Sequence, residues 1–147
     1  MDRGVAVVLT ACTGGLVALQ APINSMLGRA VGTWQAAFLS FAVGTIALAL
    51  VAGLTKGGLG QVAEARHLTW YYLTGGLLGA AYITSVLVTV RSLGAGGVVA
   101  ATIAGQLAIS VVVDHFGWLG VGKQPIDAAR VIGIALLAAG TYLVVRD

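Results

Sequence analysis

Five long uncharged stretches, separated by brief charged or glycine-rich punctuation, dominate the pattern of polar and apolar positions. They cover residues 4–28, 30–55, 68–90, 92–113 and 131–145. A bilayer core of ~30 Å is crossed by ~20 apolar residues of helix, and four stretches reach that length. The fifth is shorter, so Arg130 and Arg146 must extend toward the headgroups or the bilayer must thin locally. The pattern predicts an all-α membrane protein. It forms a single transmembrane domain over residues 1–147, with five helices near 4–28, 33–54, 69–90, 95–114 and 128–146. The connections at 29–33, 55–68, 91–97 and 114–130 are too short to hold a domain with its own core. Function must therefore be built from helices within the membrane, which excludes receptors and enzymes that work through a soluble head.

Composition agrees. The chain is 59% hydrophobic and 9% charged, against ~25% charged in an ordinary soluble domain. Thirteen charged residues could not keep such a chain dispersed in water. The sequence "LTAC" at 9–12 looks like a lipoprotein cleavage box, but the stretch before it is short and the chain beyond stays apolar. Cys12 therefore reads as a lone thiol inside a helix, with neither a disulfide partner nor a metal set. His67 and His115 are isolated at helix ends. No nucleophile–base pair, phosphate loop or metal cluster supports an enzyme, and nothing calls for a cofactor or nucleic acid.

With an odd number of spans the termini lie on opposite sides. Arg3, Lys56, Arg66, Lys123 and Arg130 then share one side, and Arg29, Arg91 and Arg146 the other. Five against three is a weak orienting bias, so the chain is expected to insert both ways. Trp34, Trp70, Tyr71, Tyr72 and Trp118 fall at helix ends, where amphipathic rings anchor at the interface. The 22 glycines indicate close helix packing, with Gly75 and Gly79 on one face and Gly28 at the end of helix one.

Polar side chains inside the spans are grouped. On helix one, Thr13, Gln20 and Asn24 share a face, with Pro22 freeing a carbonyl near Ala18. Helix three carries Tyr82, Ser85 and Thr89 at spacings of three and four. Helix four carries Thr102, Gln106, Ser110 and Asp114, each four residues after the last. Three stripes suggest a shared wet or substrate-filled interior, because polar residues at membrane depth are costly unless they serve a site. The plainer reading is that hydroxyls return to their own i−4 carbonyls and carboxamides act as interhelical glue. Asp114 faces the negative end of its helix dipole, a position that calls for a nearby cation.

The succession "LQAPINSMLG", "FAVGTIAL", "GGLLGAAYI", "GQLAISVVVDHFGWLG" and "RVIGIALLAAGTYLVV" resembles the YdcZ-like five-helix family of inner membrane exporters, within the drug/metabolite transporter superfamily. The resemblance covers nearly the whole chain. It implies half of a ten-helix transporter fold, completed by antiparallel dimerisation with an inverted copy or a related, oppositely oriented partner. It also implies a multi-pass protein of the bacterial inner (cytoplasmic) membrane. The family's polar signature falls on Gln20, Asn24, Gly105, Gln106, Asp114, Phe116, Gly117 and Gly120. The four-helix multidrug members of the superfamily keep a glutamate in helix one, which this chain lacks, so their coupling chemistry does not carry over.

Together these features lead to a small secondary transporter, an exporter of a small polar or zwitterionic molecule, working by alternating access as an antiparallel dimer. Gln20, Asn24, Tyr82, Ser85, Gln106 and Ser110 are the expected substrate or pathway residues, and Asp114 the coupling group or gate. Two alternatives share these residues: a small channel or facilitator, and a non-transporting scaffold or accessory subunit in which the carboxamides are glue.

Overall fold

A computed structural model of the chain describes residues 2–56 and 58–146. Helix α1 spans Arg3–Val31 and α2 spans Thr33–Leu54, so one residue separates them. That residue is Gly32, at φ 99° and ψ 154°, a conformation that a side chain would strain. The helices are long because no charge lies between Arg3 and Arg29 or within α2 and only one proline interrupts them, and because backbone groups in lipid must be paired within their own segment.

Two short 3-10 segments, Gly58–His67 and Trp70–Leu73, lead to α3 at Thr74–Phe116. As one 43-residue rod α3 would be ~65 Å long, about twice a bilayer core. Gly94, at φ 67° and ψ 170°, breaks it into halves, 74–93 and 95–116, each about 30 Å and enough for one crossing. The loop expected at 91–97 is thus reduced to one non-helical residue. Apart from Arg91 its other members are uncharged, and in a bilayer they gain more from helical hydrogen bonds than from an open loop. Helix α4 covers Ala128–Val145, with Asp127 Oδ1 capping its start by accepting from the Arg130 amide at 2.8 Å. Four helical stretches among the described residues are long and apolar enough to cross a membrane, and the third, Trp70–Phe116, contains the break at Gly94. No strand occurs among the described residues.

The chain divides into two compact units, Leu19–Arg91 and Met1–Ala18 with Ser92–Asp147. In the first, Ala36, Ala37, Ile83 and Leu87 form the core, with Leu27 and Tyr82 packed against it. A Cβ on Gly28 would lie 3.3 Å from Leu87 Cδ2 and 3.7 Å from Ala36 Cβ, so glycine there lets α1 approach closely. Gly79 meets Phe41 at 3.3 Å in the same way, whereas Gly75 has nothing within 4 Å and seats no helix of this chain. In the second unit Val98 and Val111 are buried, and Thr141 of α4 donates to the Ala100 carbonyl at 3.1 Å. Leu16, Phe38, Ile46, Leu48 and Leu136 are exposed on helix surfaces. Lipid is the solvent that tolerates them.

Candidate functional site

The polar side chains at membrane depth have three different fates. Asn24 is buried, and its Oδ1 accepts a hydrogen bond from Ser40 Oγ of α2 at 2.7 Å. It sits half a turn past Pro22, on the face where Ala21, Ser25 and Gly28 are also buried. The boundary between the two compact units falls between Ala18 and Leu19. Ala18 is the residue whose carbonyl loses its helical partner, because Pro22 has no amide hydrogen.

Gln20, by contrast, is exposed. So are Gln106 and Ser110 in the second half of α3. Gln106 lies ~15 Å or more from either end of the segment 95–116, near the middle of a bilayer core. Among the described residues neither glutamine side chain makes a hydrogen bond within the chain. Leaving a carboxamide unpaired in hydrocarbon costs several kcal/mol, on the order of 4–8 in a medium that cannot hydrogen-bond.

The stripe expected on helix three is split. Tyr82 turns inward and packs on the Ala36–Leu87 cluster. Ser85 is exposed and lines an open groove of about 910 Å³ between α2 and the first half of α3. Trp34, Phe38 and Phe41 form one wall of this groove, while Thr84, Ser85 and Thr89 stand on the other. The three hydroxyls donate to the carbonyls of Ala80, Ala81 and Ser85 at 2.9 Å, so the groove offers no free hydroxyl hydrogen. The aromatic wall was visible in the sequence as a run at i, i+4 and i+7, but its outermost member reads equally as an interface anchor. A second groove, about 560 Å³, runs between the segment 95–116 and α4 and is lined by small residues such as Gly96, Ala100 and Gly140.

Asp114 closes the remaining stripe. The cation its position demands is Arg130, sixteen residues on, whose Nη1 lies 3.4 Å from Asp114 Oδ2. The pair is partly open, with side chains 26% and 33% exposed for Arg130 and Asp114. Arg130 also reaches the Gln124 side chain, and the Asp114 carbonyl accepts from the amides of Gly117 at 3.3 Å and Gln124 at 2.8 Å. His115 Nδ1 accepts from the Ile126 amide at 3.1 Å. The block at 114–130 is therefore a laced turn. Its charges and ring nitrogens hold the end of α3 to the start of α4.

Among the described residues no group of three or more His, Cys, Asp or Glu side chains could hold a metal ion. The family model described as "Putative inner membrane exporter, YdcZ" matches residues 5–143. No curated protein and no solved structure matches the chain.

Proposed function

The chain belongs to the YdcZ family of inner membrane exporters, and from that premise we propose that it is one half of a small secondary transporter, completed by an inverted copy of itself. The observation that carries this reading is Gln106, a mid-span carboxamide left exposed and without a hydrogen-bond partner among the described residues. Lipid cannot satisfy it. A second copy, substrate or pathway water must cover it. Two inverted copies would bring the Gln106 and Ser110 faces together near the midplane, and would make the inward-open and outward-open states related by symmetry. Gln20 joins them as the second unpaired carboxamide.

A polar path without a charge at depth suits a neutral or zwitterionic small molecule, because a net charge there would lack a counter-ion. Asp114 is the charged group nearest that path, and coupling or gating is assigned to its pair with Arg130 at the path's mouth. Asn24 takes a second role, since its bond to Ser40 is the interhelical glue that a scaffold reading would assign to every carboxamide.

The test is a comparison of variants in purified, reconstituted protein. Gln20→Ala and Gln106→Ala should leave the dimer cross-linkable while abolishing saturable uptake of the substrate found by screening. Asn24→Ala should instead lower thermal stability by about 0.6 kcal/mol, the average for an interhelical polar contact. Glutamine variants that lose assembly but retain transport in the remaining dimers would falsify the pathway role.

A further inference from the structure

The transport reading leaves the connector between α2 and α3 without a task. It is a ten-residue 3-10 helix, Gly58–His67, although such runs seldom exceed three or four residues. Side chains three apart eclipse in this helix, so the connector sorts into rows. Leu59, Val62, Ala65 and Leu68 (just beyond the last helical residue) make an apolar ridge. Gln61, Glu64 and His67 make a polar one. In an α-helix the same sequence would place Leu59 and Leu68 on opposite sides, since nine steps of about 100° amount to half a turn. The conformation itself creates the ridge. Leu59, Val62 and Leu68 are 52%, 63% and 54% exposed, and Ala65 is half-buried, so among the described residues the ridge is left mostly uncovered.

Its surroundings say what does. Helix α2 ends at Leu54 and the next apolar span begins at Trp70, so both ends of the connector run directly into membrane-crossing segments. Lys56 precedes the ridge and Arg66 lies near its end, a charge pattern complementary to lipid phosphates. Arg66 donates Nε to His67 Nε2 at 3.0 Å, which leaves its terminal nitrogens for such contacts. Exposed Trp70, Tyr71 and Tyr72 follow, residues that favour headgroup depth.

We propose that Gly58–His67 is an in-plane membrane anchor, with the Leu59–Val62–Ala65–Leu68 ridge resting on the bilayer of the spans it joins. Lys56 and Arg66 contact lipid phosphates, and Gln61, Glu64 and His67 face water. The anchor fixes the depth at which α3 begins. It does not depend on the transport reading, and its test involves no transport.

The full chain carrying Cys12→Ala is given one spin label at a time, through Leu59→Cys, Gln61→Cys, Val62→Cys, Glu64→Cys, Ala65→Cys, His67→Cys or Leu68→Cys. It is then reconstituted in phosphatidylglycerol–phosphatidylcholine vesicles. Oxygen, which concentrates in lipid, should relax the labels at 59, 62, 65 and 68 more than a water-soluble nickel chelate does. The order should reverse at 61, 64 and 67. A profile without a three-residue period overturns the proposal. So does low access of both reagents along the ridge, which would mean that protein covers it. Lys56→Gln with Arg66→Gln should bring the ridge labels to the shallower depth seen in pure phosphatidylcholine. A depth independent of lipid charge in the unsubstituted connector would overturn the attraction of Lys56 and Arg66 to anionic headgroups.

Discussion

Single residues in this chain are decided by whether they find a partner. Ser40 satisfies Asn24, Arg130 satisfies Asp114, and Gln106 is left open. Membrane depth magnifies that difference, because an unpaired carboxamide costs far more in hydrocarbon than in water. Asp114 illustrates how much of this was legible. Its place near a helix C-terminus called for a cation, but any of several could have served. Only the turn at 117–127 brings Arg130 to it. Because the pair is partly solvated, it contributes at most about 1 kcal/mol. Asp114→Asn keeps an acceptor for Arg130 and removes the negative charge. It should retain substrate exchange across proteoliposomes and lose accumulation driven by a pH gradient. Full proton-driven accumulation would place coupling elsewhere.

At the scale of elements, two residues control how helices begin and where they yield. Asp127 caps α4 through the Arg130 amide, next to the pair that Arg130 makes with Asp114. Asp127→Ala should cost about 1 kcal/mol, read as a lower unfolding midpoint in a denaturant titration, while Asp127→Asn should cost little. Pro22 has the opposite character. It denies the Ala18 carbonyl its usual amide partner, which makes this the point of α1 where bending costs least. Pro22→Ala should stabilise the fold, by up to the ~3 kcal/mol that an interior proline costs a helix, read as a higher melting temperature, and slow transport. A faster transporter would show that the proline serves assembly rather than motion. The helices themselves were legible from hydropathy, but their joints were less so. The stretch 91–97 carries three glycines and reads as a loop, yet only Gly94 leaves the helix. Glycine permits a break; the surrounding solvent decides how many are used.

For the whole molecule, five crossings would divide the cations five to three across the two faces. A bias that small should let the chain insert in both orientations. Reporter fusions after Asp147 should show activity on both sides of the membrane, and two or three added lysines on one face should fix one orientation. A single-sided reporter in cells lacking any related chain would exclude the inverted homodimer.

The sequence by itself determined the solvent, the helical class and the family, because the partition between water and lipid depends on composition along the chain and needs no knowledge of partners. It also bounded the candidate polar residues, since few occur within the spans. Tertiary structure decided which of them are spent and which are free. Tyr82 and Thr89 lie seven residues apart on one expected stripe, yet Tyr82 packs into the Ala36–Leu87 core and Thr89 lines the aromatic groove. Helical spacing gives a direction around one axis only. What lies in that direction is set by neighbouring helices whose contacts are remote in sequence, as Asn24 with Ser40 and Asp114 with Arg130 show.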